Sequence, residues 1–208
     1  MDQKPHLVIT ISRELGSGGS YIGQQVAKAM NMYYADHEII TKTAEQLSVV
    51  EDDIVAQDEK IESFWKSFWL YSGTAPDAYI PAPRKFPPTS YDVFNAESLV
   101  IQHIAKEKSS VIIGRGGFYV LRDYPNLLSI FLHGDPDFRA HRLVDKYNLT
   151  EDEAKKMVEQ NDKERTHYIS TFTGKKWNDS KQFHLVINTS KIGIDKTVEL
   201  ILSYLKLL

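Results

Sequence analysis

Residues 9–22 read ITISRELGSGGSYI, and this stretch decides the fold. The apolar, β-branched run at residues 7–11 predicts a strand, and the apolar residues at helical spacing from Ser20 onward predict a helix. The glycines between them predict a loop whose backbone N–H groups converge at the helix N-terminus. Because the helix dipole adds about half a positive charge there, such a loop is typical of a phosphate site.

The loop departs from the G-x-x-x-x-G-K-[ST] pattern that holds a nucleoside triphosphate. With Gly18 as the second glycine, Ser20 falls on the hydroxyl position that faces magnesium. Arg13 then stands in place of the first glycine, and Gly19 stands in place of the lysine. The dinucleotide-binding pattern G-x-G-x-x-G fits no better, because Tyr21 occupies its last position. An ordinary glycine-rich turn between a strand and a helix is the alternative interpretation.

Composition indicates an ordinary globular protein. The chain has 208 residues, 42% of them hydrophobic and 25% charged, which predicts one domain with a single core. A net charge of −3 gives no overall attraction to nucleic acid, so a site for a polyanion has to be a local cluster of cations. The absence of cysteine excludes a disulfide framework and a thiol nucleophile, and the seven histidines lack the spacing of a zinc site.

No apolar run approaches the ~20 residues that span a bilayer, and nothing before the first strand resembles a signal peptide. We therefore expect a cytoplasmic protein with no membrane partner. No run of lysine and arginine with interleaved aromatic residues predicts binding to nucleic acid.

Strands and helices alternate along the rest of the chain. Strands are predicted at 32–35, 110–113, 127–132 and 183–187, and helices at 91–108, after Asp135-Pro136, from a capping box at Thr150 to about Tyr168, and from Asp195 to about Leu207. Several strands are apolar throughout, which predicts a parallel sheet with helices on both faces. Ligands bind such sheets beyond the carboxyl ends of the strands, where Arg13 and Arg115 fall.

Residues 61–88 differ in character, because aromatic residues crowd together there and five prolines follow them. We interpret this stretch as an inserted, partly irregular region that covers a site. The alternative is an aromatic helix packed on the core and followed by an inert surface loop. Trp65 and Trp69 would form a patch suited to a homodimer if they are exposed.

The order of these segments resembles the cytidylate kinase-like branch of the P-loop nucleoside monophosphate kinases over nearly the whole chain. The matching stretches are residues 9–22, 34–36, 113–117, 131–142, 161–165 and 185–190. Each stretch is weak alone, whereas their order and spacing are more specific. The resemblance implies a single three-layer α/β domain with about five parallel strands and helices on both faces. Its parts are a core (about 1–36, 91–138 and 180–208), an acceptor-binding insertion (about 37–90) and a helical lid (about 139–179).

The resemblance also implies an activity and its residues. The implied reaction transfers a phosphoryl group from ATP, with Mg²⁺, to a nucleoside monophosphate or a similar small acceptor. The implied donor-phosphate loop is Gly16, Ser17, Gly18, Gly19 and Ser20, with Ser20 as the magnesium ligand. The implied acceptor-side residues are Asp36, Lys42, Gly114, Arg115 and the lid residue Asp162. The implied cations at the transferring group are Arg139, Arg142 and the lid residue Arg165.

Arginine suits this chemistry, because phosphoryl transfer needs positioning and charge neutralisation and a guanidinium binds phosphate with two parallel bonds. Arg139 and Arg142 lie one helical turn apart and share a face. The alternative is that both form surface ion pairs with nearby aspartates such as Asp135 and Asp145.

Two departures from cytidylate kinases bear on function. Those enzymes have the loop lysine and an aspartate directly after the third-strand arginine, where this chain has Gly19 and Gly116. We expect Arg13, as a cation of the same loop, to replace the lysine at the phosphates. The missing aspartate leaves cytosine selectivity open. Two other functions therefore stay open: a catalytically impaired nucleotide-binding protein that retains the fold, and a kinase of a non-nucleotide small molecule.

Overall fold

The computed structural model describes residues 5–36, 39–41, 43–44 and 90–208. Its centre is a sheet of five strands: β1 (Val8–Arg13), β2 (Tyr33–Ala35), β3 (Ser110–Ile113), β4 (Leu127–His133) and β5 (Leu185–Asn188). All neighbouring strands are parallel, and their order is β2-β3-β1-β4-β5. The predicted α/β fold with five parallel strands is confirmed.

Helices follow the strands, and the five long helices lie where the sequence predicts them. They are α1 (Gly19–Ala29), α2 (Ser90–Glu107), α3 (Gly117–Val120), α4 (Pro136–Tyr147), α5 (Glu151–Thr173), α6 (Thr189–Ile192) and α7 (Ile194–Leu205). A 3₁₀ turn spans Ser180–Gln182, and residues 39–41 and 43–44 are helical as well.

The core has one layer on each face of the sheet, because successive side chains of a strand point to opposite faces. Val8 of β1 packs in a buried cluster with α2 residues such as Ile104. Ile9 and Ile11 pack instead in a cluster with α1 and α7, which includes Ile201. The alternation fixes which helices cover which face, and the parallel direction of the strands brings all five carboxyl ends to one edge.

Helix α5 begins with the predicted capping box. The Thr150 hydroxyl oxygen accepts a hydrogen bond from the Glu153 N–H at 3.3 Å, and the Glu153 carboxylate accepts one from the Thr150 N–H at 2.8 Å. The predicted end near Tyr168 was wrong, since the helix runs to Thr173 and stops at Gly174 with φ 66°. Ile169 and Thr173 are buried, so packing sustains the helix through this β-branched stretch until glycine adopts the left-handed conformation.

Three short elements, α3, α6 and the 3₁₀ turn, were not predicted, because each is only three or four residues long. Lys42, Trp65, Trp69 and the aromatic and proline-rich stretch at 61–88 lie outside the described residues. The division into core, insertion and lid, the homodimer and the cytoplasmic location therefore stay predictions. None of the helices in the described part of the chain is long and apolar enough to cross a membrane.

Candidate active site

A cleft of about 630 Å³ opens at the carboxyl edge of the sheet. Its walls come from the end of β1, the glycine loop before α1, the loop after β3, and helices α4 and α5. The charged side chains that line it are five cations and two carboxylates: Arg13, Arg115, Arg142, Lys146, Arg165, Glu14 and Glu164. The cleft is therefore locally basic, although the whole chain carries a net charge of −3.

The glycine loop presents an open helix N-terminus to the cleft. Helix α1 begins at Gly19, and its N-cap Gly18 has φ 84° and provides no side-chain cap. Ser17 is buried, and its hydroxyl donates to the Glu14 carbonyl at 2.8 Å, so this side chain closes the loop. The first N–H groups of a helix have no partner within it, and an anion satisfies them well.

The side chain of Arg13 passes directly over Gly19. A Cβ atom at position 19 would lie 2.6 Å from Cγ of Arg13, so any other residue there would collide with the arginine. The guanidinium then lies against Gly114, which has φ +77°, and a Cβ there would collide with Nη1 of Arg13. Two glycines thus make the channel through which Arg13 reaches the cleft.

Arg13 is a partly buried cation whose charge the Asp36 carboxylate offsets only in part. In the part of the chain that the structure describes, no carboxylate lies within ion-pair distance of its guanidinium. Burial lowers the pKa of Arg13 to about 9, and the neighbouring Arg165 guanidinium adds to this shift. Burial also lowers the pKa of Arg165 to about 10, although Asp162 opposes that shift. An anion between these arginines would relieve the unfavourable desolvation of both.

Arg165 reaches this region from helix α5. Its Nη1 group donates to the backbone carbonyl of Arg13, and its guanidinium lies 6.0 Å from the centre of the Trp177 ring. These contacts place the predicted lid arginine beside the end of β1 and the glycine loop.

Arg115 is held on the other side of the cleft. It has φ 50°, an uncommon left-handed conformation for a residue other than glycine. Its Nε lies 3.1 Å from the Glu97 carboxylate, and its Nη2 donates to the Thr41 hydroxyl at 2.8 Å. Its guanidinium also lies 5.6 Å from the centre of the Tyr168 ring. Arg115 is therefore oriented before any ligand binds.

The structure separates the two α4 arginines that the sequence places on one face. The Arg139 side chain is 5% exposed, and it lies 3.2 Å from the Glu14 carboxylate and 2.8 Å from that of Asp162. Its Nε also donates to the Gly134 carbonyl. Arg142 lines the cleft and donates to the Gly16 carbonyl at 3.0 Å. Arg139 and Asp162 therefore lie next to the glycine loop, and the predicted roles of Arg139 at the transferring group and of Asp162 on the acceptor side stay predictions.

Asp36 follows β2 and begins the next helical segment. Its carboxylate accepts a hydrogen bond from the Ile39 N–H at 3.0 Å, and it is not among the described residues that line the cleft. Its predicted contact with an acceptor stays a prediction, as does that of Lys42. Gly114 does line the cleft, directly before Arg115.

Ser20, the predicted magnesium ligand, lies at the cleft, and its role stays a prediction. It is exposed in the first turn of α1 and lines the cleft. No group of three or more metal-ligating side chains occurs among residues 5–36, 39–41, 43–44 and 90–208. This donor set fits Mg²⁺, which keeps several waters and takes many of its ligands from substrate phosphates.

The sequence did not reveal Glu97, Tyr168 or Lys146 as residues of this region. The sequence does hold one indication for Glu97, because this carboxylate lies on the apolar side of α2, next to Ala96 and near Val100, which are both buried. A carboxylate on such a face is rare unless it has a partner. The partner, Arg115, could be recognised only once the fold was known.

The sequence pattern of the cytidylate kinase-like family matches residues 8–191 of this chain. The chain belongs to the cytidylate kinase-like family. The matched range includes the glycine loop, Arg115 and the arginines of α4 and α5, so the cleft lies within it.

Relatives within this family cover part of the chain. A cytidylate kinase of Saccharolobus islandicus strain Y.G.57.14 is 32% identical over 110 residues, which are 52% of this chain and 57% of that protein. The cytidylate kinase of strain L.S.2.15 is 32% identical over 108 residues, 51% of this chain and 56% of that protein. The chain thus spans less than two thirds of the length of these curated relatives.

A solved structure of an uncharacterized protein from Eubacterium ventriosum shares the fold of this family member. It superposes with a TM-score of 0.71 and covers 97% of this chain and 99% of its own. The two sequences are 24% identical, so the likeness concerns the fold alone.

Proposed function

We propose that this member of the cytidylate kinase-like family is a phosphotransferase that uses ATP and Mg²⁺. Its acceptor is a nucleoside monophosphate or a similar small phosphorylated molecule. The observation that carries the proposal is the partly buried Arg13, which enters a basic cleft beside an open helix N-terminus without an ion-pair partner among the described residues. Such a site favours a multiply charged anion, and a triphosphate next to a second phosphate supplies one.

On the donor side, the N–H groups at Gly18, Gly19 and Ser20 would hold the phosphates of ATP. Arg13 would supply the positive charge that the lysine supplies in the usual pattern. Ser20 would hold Mg²⁺ together with the phosphates, and the ion would neutralise charge on the phosphate oxygens. Arg142 fixes the loop through the Gly16 carbonyl and keeps the remainder of its guanidinium for the ligand.

On the acceptor side, Arg115 would bind the monophosphate, with Asp36 and Lys42 as further proposed contacts. Arg165 lies beside Arg13 and would neutralise the group in transfer. We propose that Arg139 and Asp162 stabilise the glycine loop, because the two side chains form an ion pair next to it.

Gly19 favours a second candidate, a protein that binds nucleotide without transferring phosphate. If Arg13 does not replace the lysine in the transition state, ATP would stabilise the fold without being consumed. A third candidate, a kinase of a non-nucleotide molecule, follows from Gly116, which leaves no carboxylate at the position that accompanies cytosine selectivity in the resembled enzymes.

The test is a transfer assay on the purified chain with ATP, Mg²⁺ and a panel of CMP, dCMP, UMP and AMP. The proposal predicts one nucleoside diphosphate in stoichiometric balance with ADP, detected by anion-exchange chromatography, and no product when EDTA removes Mg²⁺. ATP that binds but yields no diphosphate with any acceptor would favour the second candidate. ADP formed only with an acceptor that is not a nucleotide and carries no phosphate would favour the third.

A further inference from the structure

We infer that Glu97 is a positioning residue that aims Arg115 at the acceptor phosphate and joins it to helix α5 through Tyr168. The inference rests on the proposed function, since it concerns the acceptor side of the same cleft. Neither the family match nor the sequence assigns a role to Glu97.

The carboxylate of Glu97 contacts three side chains from different parts of the fold. Glu97 is completely buried on α2. Its oxygens accept from the Tyr168 hydroxyl at 2.8 Å and from the Thr41 hydroxyl at 3.0 Å, and they lie 3.1 Å from Nε of Arg115. A buried carboxylate is costly unless it is paired and hydrogen-bonded, and here it is both.

These contacts leave Arg115 with donors for a ligand. A guanidinium has five N–H groups. The Nε group faces Glu97 and one Nη2 group faces Thr41, while Arg115 lines the cleft with its side chain 25% exposed. Within the described part of the chain, the hydrogen-bond geometry assigns the other N–H groups no partner, and the two contacts behind them set their direction. An arginine fixed in this way loses less conformational freedom when it binds phosphate.

Tyr168 extends the arrangement to helix α5. Its hydroxyl donates to Glu97, while its ring lies 5.6 Å from the Arg115 guanidinium. The Glu97 carboxylate thus joins three elements: α2, which carries it, the helical segment at 39–41 through Thr41, and α5 through Tyr168. Arg165 lies on the same helix as Tyr168, so the orientation of Arg115 is tied to the helix that carries a proposed transfer residue.

The test compares Glu97→Gln, Arg115→Ala and the double variant in steady-state kinetics with the best monophosphate of the panel. Glutamine keeps the size of the side chain and accepts from Tyr168, but it removes the charge that holds Arg115. We expect Glu97→Gln to raise the acceptor KM about 10- to 100-fold, the range of a charge-assisted hydrogen bond. The KM for ATP should change less than about twofold, and the double variant should be no worse than Arg115→Ala alone.

Tyr168→Phe is the matched variant, because it removes only the hydroxyl that contacts Glu97 and keeps the ring beside Arg115. It should raise the acceptor KM by a smaller factor in the same direction. If Glu97→Gln does not fold, as its thermal midpoint would show, Tyr168→Phe alone carries the test. A purely structural role would change the thermal midpoint of both variants and leave the acceptor KM where it was.

Calorimetric titration with the same monophosphate, or with inorganic phosphate if none reacts, separates the two proposals. Weaker binding by Arg115→Ala together with normal binding by Glu97→Gln and Tyr168→Phe would overturn the inference about Glu97 and leave the proposed function standing. Normal binding by Arg115→Ala would overturn the acceptor site itself. Parallel losses in Arg115→Ala and Glu97→Gln would support both.

Discussion

Arg13→Ala is expected to slow phosphoryl transfer by about 10²- to 10³-fold, the loss that follows removal of one preorganised donor at a developing charge. The stem of Arg13 crosses Gly19, which stands at the lysine position of the pattern. The fold should tolerate the change, since a partly buried cation without an ion-pair partner in the described region contributes little to stability. The measurement is kcat/KM for ATP at saturating acceptor, with the thermal midpoint as the check on folding.

A reciprocal exchange makes this prediction sharper. Gly19→Lys alone should be damaging, because the new Cβ would lie 2.6 Å from Cγ of Arg13. Arg13→Gly together with Gly19→Lys restores both missing positions of the G-x-x-x-x-G-K-[ST] pattern and removes the collision. The double variant should therefore transfer phosphate faster than either single variant. A double variant that is slower than both, or an Arg13→Ala protein with full activity, would show that Arg13 does not replace the lysine.

Arg139→Met is expected to lower the free energy of unfolding by about 3–5 kcal/mol, as in other proteins that lose one partner of a buried ion pair. The change would leave the carboxylates of Glu14 and Asp162 without their shared cation, which now lies 3.2 Å from one and 2.8 Å from the other. Arg139 links Glu14, before the glycine loop, to Asp162 on α5, so its loss should affect both elements. Urea denaturation followed by circular dichroism measures it.

Lys155→Met is the matched control, because the ion pair of Lys155 with Asp137 joins α5 to α4, as the pair of Asp162 with Arg139 does. The pair of Lys155 with Asp137 is 3.3 Å long, with side chains 51% and 88% exposed, and its loss should change stability by less than about 1 kcal/mol. Equal stabilities for the two variants would contradict the structural role of Arg139. Lower turnover of Arg139→Met at unchanged stability would instead place this arginine at the phosphoryl group, as the sequence predicts.

Local patterns made much of the fold predictable. The strand at 110–113, the glycine loop before α1 and the capping box at Thr150 depend on residues within a few positions of one another, so the sequence alone indicates them. The end of α5 does not depend on local residues alone, because Ile169 and Thr173 remain helical through their packing against distant parts of the chain.

Several residues of the cleft were predictable, but their arrangement was not. Arg13, Arg115 and Arg165 were identified from their positions at strand ends and in the lid motif, and the structure brings them to one cleft. The path of Arg13 over Gly19 depends on its rotamer and on the approach of Gly114, which is about a hundred residues away in the sequence. The contact of Arg115 with Glu97 likewise joins α2 to the loop after β3 and leaves no pattern at short range.

The most direct measurement is a calorimetric titration of the wild-type chain and of Arg13→Ala with ATP in the presence of Mg²⁺. If the glycine loop and Arg13 form a donor-phosphate site, the wild-type chain binds one ATP with a dissociation constant below about 1 mM, the upper range of enzyme substrates. Arg13→Ala should then bind at least about tenfold more weakly, as expected for the loss of a charged hydrogen bond. No binding by the wild-type chain, or equal binding by the two proteins, would contradict a donor site built on Arg13.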